Sequence, residues 1–308
     1  MSKPIFVLGA ALTDMVGFPQ RKPALTESVP GRITKSSGGV GRNLAENLVR
    51  LGLPTELITA FGDDRNGKAL LAECQELNIG VRYSILANGR KGALNLAILD
   101  ENNDLYAGIA DLSILDVITP TYLESQLPAL QEASIICLET NTPTAAIEWL
   151  LAQEELEVPI YLDPVSAHLA TRVQHQLGKF HTIKVNRRQA EVLGGRPLSQ
   201  SADVERLAQK WIASGVKRVF ITLGDQGAYA ADADRQIHLP AAKVKVADTT
   251  GAGDAFQAGL IWASLRKWSL EDCCRAGLAA STVAVRAEGA INKEMSQAVL
   301  LEHIRKFC

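Results

Sequence analysis

The stretch Asp248-Thr249-Thr250-Gly251-Ala252-Gly253-Asp254 carries the strongest chemical signal in the chain. Small residues at positions 251–253 let the backbone come close to a ligand. A helix is expected from Gly253 to Leu265. The first turn of a helix presents N–H groups that have no partner within it, which suits a phosphate. Asp254 falls in that turn, beside the anion site. Its carboxylate could take the proton of a hydroxyl aligned with the phosphate, as a general base does in phosphoryl transfer. Taken alone, the same residues also read as a Gly-rich turn with an aspartate at a helix start.

A second acid, Asp14, follows the apolar strand Ile5-Phe6-Val7-Leu8-Gly9. Open α/β sheets bind ligands outside the carboxyl ends of their strands, so Asp14 is either a ligand-binding residue or an ordinary turn residue. Gly38-Gly39-Val40-Gly41-Arg42-Asn43 then opens a helix that runs to Leu51 and stops at Gly52.

The rest of the chain alternates short apolar strands with helices. Strands are expected at 56–61, 135–138, 159–163, 182–185 and 218–222. Helices are expected at 66–78, 143–156, from 187, and at 202–214, 270–286 and 296–306. This rhythm predicts a parallel sheet covered by helices on both faces. Two strand-like segments break it, at about 13–35 and 88–110, the second turning at Asp100-Glu101-Asn102-Asn103. They are expected to pair into a small separate sheet projecting from the main body.

The 308 residues, 47% of them hydrophobic, supply ample material for a core. With no obvious linker or repeat, residues 1–308 read as a single domain. The net charge of -2 and the short basic clusters exclude a nucleic-acid protein. No apolar run approaches the ~18 residues of a membrane helix. Met1-Ser2-Lys3-Pro4 leads straight into the first strand, without a signal peptide, which predicts a cytoplasmic protein. The five cysteines are odd in number and lack zinc spacing, so they read as reduced structural thiols. The five histidines are scattered, which argues against a histidine-built metal site.

The 248–254 stretch resembles the C-terminal signature of the ribokinase-like (PfkB) carbohydrate kinases, and Gly38 to Asn43 resembles their N-terminal signature. Two signatures in the right order make the resemblance specific, and it covers nearly the whole chain. It implies a Rossmann-type, doubly wound, mostly parallel α/β sheet with a small β-sheet lid. It also implies ATP-dependent phosphorylation of a hydroxymethyl group on a sugar or nucleoside. Asp254 would be the base, and the backbone of Gly251, Ala252, Gly253 and Asp254 an anion hole. Asp14, Gly38, Gly39 and Asn43 would hold substrate hydroxyls, with Glu139 at a strand end nearby. Asn186, Thr222, Gly224 and Gly227 would line the ATP site. Asp248 and Thr250, with carbonyls near Ala284 and Gly289, would hold a monovalent cation such as K⁺. Magnesium is expected with the nucleotide. The family's Asn-x-x-Glu motif becomes Asn186-x-x-Gln189 here, so the side chain that would act on Mg²⁺ through waters is neutral. The segments 31–43, 158–167 and 181–187 resemble those of nucleoside-phosphorylating members. A homodimer through the lid is also expected.

Overall fold

The structure, a computed structural model, describes residues 3–24, 26–102 and 104–307. Asn103 of the expected turn, and Cys308, lie outside the described residues. The main sheet has eight strands, in the order Gln236–Leu239, Ala228–Ala231, Arg218–Thr222, Thr182–Asn186, Ile160–Asp163, Ile135–Glu139, Ile5–Leu8, Thr55–Ile58. The six from Arg218–Thr222 to Thr55–Ile58 run parallel. The strands Ile5–Leu8 and Ile135–Glu139 are buried along their whole length, as apolar strands covered on both faces must be. Alternate residues feed two cores. Phe6, Leu8, Ile136 and Leu138 pack into one, and Ile5, Val7, Ile135, Cys137 and Phe256 into the other.

The chain leaves Ile5–Leu8 for Thr55–Ile58 on one side and later returns as Ile135–Glu139 on the other. The reversal of order opens a crevice beyond the carboxyl ends of these two strands, the usual ligand position in such sheets.

The two out-of-rhythm segments do form a separate four-stranded sheet, ordered Gly31–Gly38, Leu12–Pro19, Leu94–Leu99, Leu105–Asp111. Register places Met15 between Lys35 and Leu96, with Ile109 beyond, while Asp14 lies between Ser36 and Asn95 on the opposite face. Ile33 and Ile98, both opposite Gly17, share the Met15 face. Ile33 is 75% and Ile109 72% exposed, so that face is apolar and open.

Three features depart from expectation. The 56–61 strand is two pieces: Thr55–Ile58 stays in the main sheet, and Ala60–Gly62 pairs with Ile85–Ala87. A hairpin, Ala228–Ala231 with Gln236–Leu239, adds two antiparallel strands at one edge. Its Ala-Tyr-Ala-Ala run has little of the β-branched character that marks a strand. The helix Pro120–Gln131 carries Pro128 in its interior, which masks a start otherwise marked by Thr119 as cap and Pro120 in the first turn. Cys74, Cys137 and Cys273 are buried free thiols, and Cys274, next to Cys273 in the sequence, is buried as well.

Candidate active site

Two helices begin at the crevice. The first, Val40–Arg50, is preceded by Gly39 at φ 97°, and a Cβ on Gly41 would lie 2.9 Å from the Gly9 backbone. The second, Ala252–Ser264, is capped by Gly251 at φ 75°, where a Cβ would lie 1.9 Å from the Ala290 carbonyl oxygen. Only glycine meets both demands at position 251. Ala252 N–H donates to the Thr249 carbonyl at 3.3 Å. Gly253 and Asp254 follow in the first turn, where helix geometry gives their N–H groups no partner.

Asp254 is buried, and its Oδ2 accepts a hydrogen bond from Asn43 Nδ2 at 3.1 Å. Residues 211 positions apart are thereby joined across the two helix starts. Burial pushes the Asp254 carboxyl up to about 7, and the negative charge of Asp163 adds to this; Lys184 and the Asn43 bond act in the opposite direction.

Lys184 and Asp163, on neighbouring strands, form a buried ion pair at 2.5 Å. A Cβ on Gly253 would be 3.4 Å from Lys184 Nζ, so the ammonium lies directly beneath the glycine cradle. Sequence reasoning did not place this pair in the site. The available signal was a charge on each of two otherwise apolar strands, Ile160-Tyr161-Leu162-Asp163 and Thr182-Ile183-Lys184-Val185.

Asp14 reaches from the small sheet toward the same region. Its Oδ1 accepts from Asn95 Nδ2 at 2.8 Å, and a Cβ on Gly38 would lie 1.9 Å from its Oδ2. Burial raises its pKa and the Asn95 bond partly offsets this. Glu139 is 2% exposed; its Oε1 accepts from the Ala10 N–H and its Oε2 from the Asn141 N–H at 2.7 Å. Burial is the largest influence on its carboxyl, which stands at about 7. Glu139 thus clamps the end of the first strand, and Gly9 has no side chain because Glu139 Cγ would be 2.3 Å from its Cβ.

Asn186 and Thr222 are cross-strand partners at the carboxyl ends of their strands. Asn186 caps the helix Arg187–Gly194: its side chain accepts from Gln189 N–H at 2.9 Å, while Gln189 Oε1 accepts from Asn186 N–H at 2.8 Å. Gln189 Nε2 donates to the Pro164 carbonyl. Gln189 is therefore buried and bonded to backbone at both ends of its amide, rather than turned toward metal-bound water as its place in the motif suggested. Gly224, at φ 65°, has open space where a Cβ would stand. Gly227 is required for another reason, since its Cβ would lie 1.9 Å from the Leu239 carbonyl oxygen.

Asp248 joins the loops on which the expected cation ligands lie. Its Oδ1 accepts from Thr250 N–H and Oγ1 at 2.9 and 2.8 Å, and its Oδ2 from Gly289 N–H at 3.0 Å. The Val285 carbonyl, next to Ala284, accepts from Ala247 N–H at 2.8 Å. Among the described residues, no cluster of three or more His, Cys, Asp or Glu side chains could hold a metal ion, and no helix is long and apolar enough to cross a membrane.

This arrangement has close counterparts. Residues 2–297 match the pfkB family of carbohydrate kinases. The chain is 32% identical to the pseudouridine kinase of Escherichia coli, over 95% of this chain and 93% of that protein. A Clostridium perfringens protein assigned to the sugar kinases superposes with a TM-score of 0.88 at 31% identity, covering 99% of this chain and 96% of that one. Arabidopsis thaliana ribokinase, solved with ribose and ATP, shares the fold with a TM-score of 0.84 at 22% identity, covering 99% of each chain. The protein belongs to the pfkB family of carbohydrate kinases and has the ribokinase-like fold. It is accordingly a phosphotransferase acting on a small sugar or nucleoside.

Proposed function

We propose that this kinase transfers the γ-phosphoryl group of ATP to the 5′-hydroxyl of a nucleoside, and that its preferred acceptor is pseudouridine. The observation that carries the reading is Asp254, buried in the first turn of a glycine-capped helix and bonded to Asn43.

Asp14, with Gly38, Gly39 and Asn43 beside it, fixes the ribose hydroxyls and sets the primary hydroxyl next to Asp254. Asp254 takes the hydroxyl proton as the oxygen–phosphorus bond forms and the bond to the ADP oxygen breaks. The N–H groups of Gly253 and Asp254, with Lys184 beneath, stabilise the charge on the transferring group. Asn186, Thr222 and Gly224 border the nucleotide, Gly224 by leaving room for it. Mg²⁺ would enter with the nucleotide beside Asn186 and would supply neutralisation of the charge on its phosphates. The small sheet acts as a lid that excludes water. Its open apolar face is the surface we assign to pairing with a second copy of the chain; sedimentation at the monomer mass would remove that assignment.

K⁺ is assigned to the loops that Asp248 joins, where oxygen ligands suit a hard cation. Exchanging K⁺ for a bulky organic cation is expected to lower activity by roughly severalfold through loosening of the anion hole. Unchanged rates would leave Asp248 and Thr250 with only their loop-joining role.

Pseudouridine rests on the relative at 32% identity and on the segments 31–43, 158–167 and 181–187. Its base is attached through carbon, which leaves a second ring N–H as a donor. A site built to pair that donor rejects uridine, because the site's own acceptor would be left buried and unpaired. With saturating ATP, Mg²⁺ and K⁺, kcat/KM for pseudouridine should exceed those for uridine, adenosine, ribose and fructose by at least about tenfold. A higher value for any of the other four would overturn the substrate assignment and leave the family assignment standing.

A further inference from the structure

Arg42, the neighbour of Asn43 in the first helix, is 3% exposed and carries its charge into the interior. Its NH2 lies 2.7 Å from Glu46 Oε2 and 2.7 Å from Glu73 Oε1. Its NH1 donates to Asn43 Oδ1 in a long bond of 3.4 Å. Glu46 is held in turn by Arg50 at 2.7 Å, and Glu73 Oε2 accepts from Ser37 Oγ at the root of the small sheet. Three helix and strand elements therefore fix this guanidinium, and its remaining arm points at an amide that touches the proposed base.

The chemistry of that amide gives the contact its meaning. An asparagine has a donor end and an acceptor end, and the two can exchange by rotation. A guanidinium can only donate, so Asn43 must turn its oxygen to Arg42. Its nitrogen is then left facing Asp254 Oδ2 at 3.1 Å.

We infer that Arg42 is a positioning residue for the base: through Asn43 it ensures that Asp254 meets a hydrogen-bond donor and never an acceptor. This rests on the reading of Asp254 as the base. A donor favours the carboxylate, the form that can take a proton. A reversed amide would offer its oxygen to a protonated Asp254 and favour the inactive acid. The groups facing Asp254 are Asp163, Lys184 and Asn43. Those facing Arg42 are Glu46, Glu73 and the Cys74 thiol.

The test is Arg42→Lys. A lysine keeps the charge between the two carboxylates, but its single ammonium, held there, has no second arm for Asn43. The acidic limb of the kcat/KM–pH profile should move up by about half a pH unit or more, a threefold or larger change in the protonation ratio, with KM for ATP little changed. A role confined to helix packing would lower thermal stability and leave the limb where it is; that result overturns the inference. Asp254→Asn separates this from the parent reading. If the wild-type limb survives in that variant, the base assignment itself fails, whatever Arg42→Lys does. Should Arg42→Lys not fold, neutron diffraction from the deuterated wild-type protein decides instead. Deuterium on the Asn43 atom facing Asp254 supports the inference, and deuterium on the atom facing Arg42 overturns it.

Discussion

Asp254→Asn is expected to lower kcat by roughly 10²–10⁴-fold, the usual worth of a positioned base. The substitution keeps the shape of the side chain and removes its ability to accept a proton. ATP affinity should change little, because the backbone N–H groups and Lys184 remain in place. The wild-type pH profile should show the same group. A base at about 7 in the free enzyme must be ionised to act, so kcat/KM should rise through about pH 7 and level off above it. That rise should be absent from the residual activity of the variant. Glu139 also stands at about 7, but it is unchanged in the variant, so loss of the limb would assign it to Asp254. Activity within about threefold of wild type would remove Asp254 from its role.

Lys184→Met should have the largest effect on stability. Both members of the Lys184–Asp163 pair have side chains only 5% accessible, and among the described residues Asp163 Oδ2 finds no hydrogen-bond partner. Removing the lysine strands a buried carboxylate, which costs roughly 3–5 kcal/mol. Burial raises the Asp163 pKa already, with Lys184 opposing it; without the lysine the carboxyl rises further and binds a proton in the folded state. A group whose folded pKa is raised loses stabilising effect as pH climbs through that value, so the variant should be more stable at about pH 5 than at about pH 8. Urea unfolding at the two pH values measures this. The double variant Lys184→Met with Asp163→Leu should recover most of the stability and none of the activity, since no cation remains under the glycine cradle. Stability of the single variant within about 1 kcal/mol of wild type, at both pH values, would contradict this account of the pair.

What the sequence shows of this site is what lies close together along the chain. Gly251, Gly253 and Asp254 form one short motif, and Gly38 to Asn43 another, so both helix starts were legible. The small sheet was legible too, because segments 13–35 and 88–110 interrupt a regular alternation of strand and helix. Lys184 and Asp163 were not, because their meeting depends on the order of parallel strands, and no periodicity reveals which strand lies beside which. Glu139 was readable as an acid at a strand end, yet its hold on Ala10 depends on a glycine 130 positions earlier in the chain. Arg42 finds Glu73 on another helix, 31 positions away, and so its role emerges only from packing. Gln189 looked like the loss of a charge at the metal, whereas its amide bonds the backbone at Asn186 and Pro164. The hairpin Ala228–Ala231 with Gln236–Leu239 escaped because its buried first strand is built mostly of alanine, which tertiary packing on both sides, rather than propensity, makes into strand.

The most direct test of the central claim is the fate of the phosphoryl group. Purified protein, ATP, Mg²⁺, K⁺ and pseudouridine would be incubated together and followed by ³¹P and ¹H NMR. The account predicts one ADP for each nucleoside consumed, with the new phosphate coupled to the protons of carbon 5′. ATP falling to ADP and free phosphate while every nucleoside and sugar offered stays unmodified would contradict it.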